Sequence, residues 1–194
     1  MYVVKECYDC PLGRERNKIV NGRSYIRRSE RDGGGDGENN ERILLIGEAP
    51  GQKEDETGLP FQGQSGDLLD RVLRKADVSV NITNCIRCRP PNNRNPSALE
   101  LSKCRPHLNA EIEELDPKAI IVLGRVPLDN MMPTLPSKTM LHWMSRSPMA
   151  YYRADGTTTP LYVRYHPSYI LRNRSQMDDY IKEFVDLLRE IDDE

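Results

Sequence analysis

Large aromatic side chains are scarce in this chain. Its 194 residues include one tryptophan and two phenylalanines, so a ring placed outside an apolar pattern calls for a reason. Long apolar runs are missing too: nothing approaches the roughly 18 residues of a membrane span, which excludes a helical membrane protein. The N-terminal MYVVKECYDC lacks the charged-then-apolar order of a secretion signal, so a cytoplasmic protein is expected. Neither sign of charge dominates, with 28 Lys and Arg against 30 Asp and Glu, and any nucleic-acid surface must therefore be a local patch. An even cysteine count is also absent. Five cysteines in a reducing compartment argue against a full disulfide scheme and for metal ligands. Two pairs have C-x-x-C spacing, Cys7 with Cys10 and Cys85 with Cys88, and Cys104 follows alone. Two such pairs suit a zinc ribbon, but any four-thiol site leaves one cysteine out.

What is present reads as one domain of alternating strands and helices. SERDGGGDGENNER, with no apolar periodicity and several glycines, is expected to be a mobile surface loop over 29–41. RILLIG, VNIT and AIIVLG are short apolar runs that read as buried strands. Leu68, Leu69, Val72 and Leu73 recur at helical spacing, with Asp67 near the helix start. Ser97, with Glu100 three residues on, predicts a capping box at the head of a helix that runs to Asp116-Pro117. AYYRADGTTTPLYVRY reads as a hairpin or loop delivering a last strand, and MDDYIKEFVDLLREI as an amphipathic closing helix. Such alternation implies a mostly parallel sheet covered on both faces, with ligands collecting at the carboxyl ends of its strands.

The least ordinary loops fall at those ends. Glu48 follows a strand directly, where a carboxylate can be held rigidly, and Glu54, Asp55 and Glu56 share its loop. Phe61 stands in that polar loop rather than in a core pattern and is a candidate stacking platform. Asn84 ends a strand and carries both a donor and an acceptor, as reading a base edge requires. His166 is placed to donate, as a neutral imidazole, to an oxygen that gains negative charge. Arg172 and Arg174 offer phosphate contacts. The bland readings are a solvated acidic loop, a turn-forming asparagine and a structural histidine.

Together, GEAPGQKEDETGLPFQGQSG, ITNCIRCRPPNNRNP and YHPSYILR resemble, in order and separation, the family 4 uracil-DNA glycosylases over nearly the whole chain. That resemblance implies an α/β fold: a three-layer α/β/α sandwich around a short, mostly parallel four-stranded sheet. It implies a single domain with a cluster-binding arm over 1–27. The implied activity is base excision repair: hydrolysis of the bond between uracil and deoxyribose, in single- or double-stranded DNA, after the nucleotide is flipped out. A monomer is expected, and no contact with a replication clamp is legible. The family's [4Fe-4S] cluster maps onto Cys7, Cys10, Cys88 and Cys104. His166 would donate to the uracil oxygen, and Glu48 would lie near the sugar and the attacking water, with Glu54 a second candidate catalytic carboxylate. Phe61 would stack on uracil, Asn84 would read its edge, and Ala49 and Pro50 would line the pocket. Tyr169, Ile170 or Leu171 would fill the gap in the duplex while Arg172 holds a phosphate.

Three features depart from the family pattern. The glycine-rich segment is long, Gln62 stands where a small apolar residue is common and bears on pocket polarity, and Cys85 has no counterpart among the ligands. Strand alternation turns Cys85 away from Asn84, so it is expected as a small buried residue. The competing readings are an iron-sulfur nucleic-acid-binding protein of the same fold without glycosylase activity, and a zinc ribbon on Cys7, Cys10, Cys85 and Cys88.

Overall fold

The computed structural model describes residues 2–28 and 43–194, and the glycine-rich loop expected over 29–41 lies outside them. Four parallel strands form the centre: β2 (Ile43–Gly47), β3 (Val80–Asn84), β4 (Ala119–Leu123) and β6 (Thr158–Arg164). Two antiparallel strands flank them, β1 (Arg23–Tyr25) against β3 and β5 (Met149–Tyr152) against β6. The full order is β1-β3-β2-β4-β6-β5. The sheet thus has six strands where four were expected. Its four central strands match the parallel expectation, while Arg23–Tyr25 is too short and polar to show an alternation.

The strand sequences explain the layering. Every residue of β2, β3 and β4 is buried, so alternate residues serve opposite faces. Ile43 and Leu45 pack with Leu69, Val72 and Leu73 of α3 (Gln64–Ala76) and with Phe184 and Leu188 of α8 (Met177–Asp193). Leu44 and Ile46 face the other way, toward Leu108 and Ile112 of α4 (Ala98–Leu115). Leu128 of α5 (Arg125–Met131) and Trp143 of α6 (Met140–Met144) complete that second layer. Each large side chain so buried contributes about 1.5–3 kcal/mol.

Helix starts follow their local chemistry. Ser97 Oγ accepts from the Glu100 amide at 3.3 Å, and Glu100 Oε2 accepts from the Ser97 amide at 2.7 Å, which is the predicted capping box. Arg94 grips the same carboxylate through both terminal nitrogens and holds it at about 2. Asp67 falls in the first turn of α3, as read from the sequence, whereas the loop after β2 contains an unexpected short helix, α2 (Gln52–Thr57). The remaining helices are α1 (Leu12–Glu15) in the N-terminal arm and α7 (Pro167–Arg172), which opens directly on His166. Among the described residues, no helix is long and apolar enough to cross a membrane.

Candidate active site

The carboxyl ends of all four parallel strands open into one cleft of about 930 Å³. Glu48, Ala49 and Pro50 enter it after β2, Asn84 at the end of β3, Gly124 after β4 and His166 after β6. Glu54, Phe61, Tyr169, Leu171 and Arg172 complete the expected set in the same lining. Residues up to 124 positions apart in the sequence are therefore brought together because parallel topology aligns the strand ends, from Glu48 to Arg172.

Gly47 organises the floor. A Cβ there would lie 2.4 Å from Asn84 Oδ1 and 2.7 Å from Phe61 Cζ, so only a bare Cα lets both groups converge. Phe61 is buried and has φ of 54°, the left-handed region that a bulky residue avoids. Glu54 maintains this backbone: its Oε1 accepts from the amides of Gln62 at 2.8 Å and Gly63 at 3.3 Å, and its Oε2 from Gly51 at 3.0 Å. Both of its oxygens are committed to backbone. The Gln62 side chain folds onto the carbonyls of Pro60 and Phe61 and is not part of the cleft lining, so it leaves the pocket's polarity unchanged.

His166 lies beside Phe61, with ring centroids 5.7 Å apart. The Ser168 backbone donates to its Nδ1 at 3.1 Å, and a backbone N–H can only donate. Nδ1 is therefore the lone-pair nitrogen, and the single proton of the neutral ring sits on Nε2. Burial, with the nearby Arg172 cation second, lowers the imidazole to about 4, so the ring is neutral at physiological pH. Glu48 behaves in the opposite sense, as burial raises its carboxyl above the ordinary 4.5.

At the rim, Tyr169 stacks on Tyr165 with centroids 4.5 Å apart. Leu171 and Arg172 line the opening, whereas Ile170 is 1% exposed and packs in the core. Ile170 is thereby removed as a candidate wedge. It faces inward because α7 presents its apolar side to α3 and α8.

Residues 35–189 match the family model of the Uracil DNA glycosylase superfamily. The chain belongs to this superfamily. It is 33% identical over 186 residues to the type-4 uracil-DNA glycosylase of Pyrobaculum aerophilum, covering 94% of this chain and 88% of that protein. Identity to the type-4 enzyme of Thermotoga maritima is 35%, covering 89% and 81%. For the type-4 enzyme of Saccharolobus solfataricus it is 33%, covering 88% and 74%. These likenesses put the chain in the type-4 family of the uracil-DNA glycosylases.

A second cavity of this uracil-DNA glycosylase family member is lined by Cys7, Cys10, Cys88 and Cys104, with Leu12, Ile86, Arg87 and His107 around them. Cys85 is absent from that lining. It is 1% exposed within the Leu108 and Ile112 layer, and burial pushes its thiol up to about 12. Four sulfur donors in a largely apolar wall fit a thiolate-bound iron-sulfur cluster. Among the described residues, no three of these thiols have sulfurs within 4.8 Å of one another. A tetrahedral zinc would need them at roughly 3.8 Å, which follows from its bond length of about 2.3 Å. Cys7, Asp9 and His107 do converge within 4.8 Å, but this set shares Cys7 and includes an exposed aspartate.

Gln64, Ser65, Tyr165 and Ser168 also line the main cleft without having been singled out in sequence. For Ser168 a signal existed: a serine two positions after a strand-end histidine is suited to engage its ring through a local turn.

Proposed function

We propose that this protein excises uracil from DNA by hydrolysing the N-glycosidic bond and leaving an abasic site. The observation that carries the reading is the His166 tautomer, with Nδ1 engaged by Ser168 and Nε2–H free for the cleft. Uracil leaves as an anion, and the charge grows on a carbonyl oxygen of the base. A preformed neutral donor stabilises that charge without repelling a second proton. On the sugar side, the Glu48 carboxylate has no hydrogen-bond partner among the described residues and supplies negative charge beside the developing cation and its attacking water. Glu54, held by three backbone amides, shapes the pocket instead of taking part in the chemistry.

Phe61 forms the stacking platform, and Asn84 reads the base edge. An asparagine fixed to complement uracil leaves a buried mismatch against cytosine, which has an amine where uracil has a carbonyl. Tyr169 and Leu171 fill the gap in the duplex while Arg172 contacts phosphate, on single- or double-stranded DNA. The protein is proposed to act as a monomer.

Cys7, Cys10, Cys88 and Cys104 would hold a [4Fe-4S] cluster. When bound, it supplies iron-thiolate bonds that tie the N-terminal arm, the loop after β3 and α4 to one another.

The test is an end-labelled oligonucleotide with one uracil, incubated with protein and then alkali. Strand scission at the uracil supports the reading. Its absence with uracil opposite guanine, opposite adenine and in single strands overturns it.

A further inference from the structure

Asp55 follows Glu54 in the sequence yet points elsewhere. It is 3% exposed and is not part of the cleft lining. The partners it has belong to the N-terminal arm. Its Oδ1 accepts from the amides of Asn17 at 3.0 Å and Lys18 at 3.3 Å, and its Oδ2 from Asn17 Nδ2 at 2.6 Å. A buried carboxylate with three donors is a strong and directional joint.

The arm it grips is the one that carries the first two cysteines. Immediately before Asn17, Arg16 Nη1 donates to the carbonyls of Cys7 at 2.8 Å and Gly13 at 2.6 Å and approaches Cys88 Sγ at 3.9 Å. Two residues after Lys18, the Val20 amide donates to the carbonyl of Arg87, the neighbour of Cys88. Residues 16–20 therefore touch the cysteine cavity and α2 at once. On α2 the adjacent Glu54 turns to the other side and holds the amides of Gln62 and Gly63, which follow Phe61. Arg23 adds a lesser tie from the arm, donating from Nε to the Pro60 carbonyl at 3.1 Å.

We infer that Asp55 is a positioning residue for base binding: it fixes α2 against the cysteine-bearing arm so that Glu54 can hold Phe61 in its left-handed conformation. This deepens the glycosylase reading and rests on it only for the uracil-binding readout. A bulky residue at positive φ costs about 1–3 kcal/mol and persists only where its surroundings over-determine it. Cutting the joint lets α2 shift, Glu54 lose its amides and the ring leave the pocket floor.

The experiment uses Asp55→Asn and Asn17→Ala in the full, iron-containing protein. The second variant removes one donor and leaves the carboxylate in place, so it reports even where the first fails to fold. Two quantities are read: hydrogen exchange of the segment 51–66, and inhibition of DNA cleavage by free uracil. Exchange at Gly51, Gln62 and Gly63 rises and the uracil inhibition constant weakens about tenfold, the scale of one charge-assisted hydrogen bond. Iron content stays at the wild-type level. Asp192→Asn, which breaks a partly buried ion pair with Arg27 outside the cleft, changes neither quantity. Unaltered exchange and uracil affinity in both folded variants overturn the inference. A wild-type protein that releases no uracil defeats the glycosylase reading instead, and the exchange result still decides the joint.

Discussion

The Ser168 backbone N–H donates to Nδ1 of His166, and that bond sets the direction in which the imidazole can give a proton-bearing nitrogen to the cleft. His166→Ala therefore removes a preorganised donor, and kcat for uracil release falls by about 10²–10³. Ser168→Ala takes away only the hydroxyl that lies 2.8 Å from the same nitrogen, and the backbone bond survives. Single-turnover rates for this variant drop by less than about tenfold.

The acid limb of the pH profile belongs to Glu48. On the proposed mechanism, uracil release needs an ionised Glu48 and a neutral His166. His166 gains its proton only near 4, whereas Glu48 is raised above 4.5, so Glu48 is neutralised first as pH falls. Glu48→Gln lowers the plateau of kcat/KM and removes that limb, leaving a fall near 4. Stability moves the other way. A carboxyl whose folded pKa is raised favours the folded state at low pH, and the advantage is lost as pH rises through that value. Glu48→Gln therefore raises the melting temperature at pH 7, and an unchanged acid limb in this variant would assign the titration to another group.

Gly47 and Gly66 define the space around Phe61. A Cβ on Gly66 would fall 1.9 Å from the Phe61 carbonyl oxygen, and one on Gly47 would collide with Asn84 and with the ring. Alanine at either position costs about 1–3 kcal/mol in denaturant unfolding, as overpacking does. Gly47→Ala additionally raises the inhibition constant for free uracil, because it displaces both groups proposed to contact the base.

Cysteine substitutions separate the two C-x-x-C readings. On the proposed cluster assignment, the wild type holds about four irons per chain, and Cys104→Ser and Cys88→Ser abolish that iron and the visible absorption of the purified protein. Cys85→Ser keeps both, and its buried hydroxyl lowers stability by about 1–3 kcal/mol. One zinc per chain and no colour in the wild type would overturn the cluster assignment.

Arg87 and Glu111 form a buried ion pair, 3% and 0% exposed at their side chains. Arg87 also donates to Thr83 Oγ1 and lines the cysteine cavity, so one guanidinium braces β3, α4 and the thiol site. Removing one partner strands the other charge. Glu111→Ala costs about 3–5 kcal/mol in equilibrium unfolding, and Arg87→Met with Glu111→Gln together cost less than either change alone.

Much of this was legible from residues alone. ILLIG, VNIT and AIIVL read as strands because burial on both faces leaves a short apolar run with no helical period. Ser97 with Glu100 announced α4 because the capping box is a purely local arrangement. QKEDET hid its helix, having no apolar face, and its use is to aim Glu54 and Asp55 at backbone and side-chain partners on opposite sides. The division between Glu48 and Glu54 was equally hidden. It depends on amides at Gly51, Gln62 and Gly63, which no side-chain pattern reveals. The edge strand Arg23–Tyr25 escaped for a further reason: with one neighbour it needs no continuous apolar run, whereas the hairpin read in AYYRADGTTTPLYVRY is the antiparallel pair β5 and β6.

Phe61 carries a last consequence for how the protein fails when heated. Its ring is useful only while a backbone shape it would not choose is enforced by a handful of amides and two carboxylates outside the main sheet. Those bonds open at lower free energy than the strands beneath them. Catalytic inactivation therefore precedes the melting of the domain, and a cooled sample recovers activity as readily as that one segment snaps back.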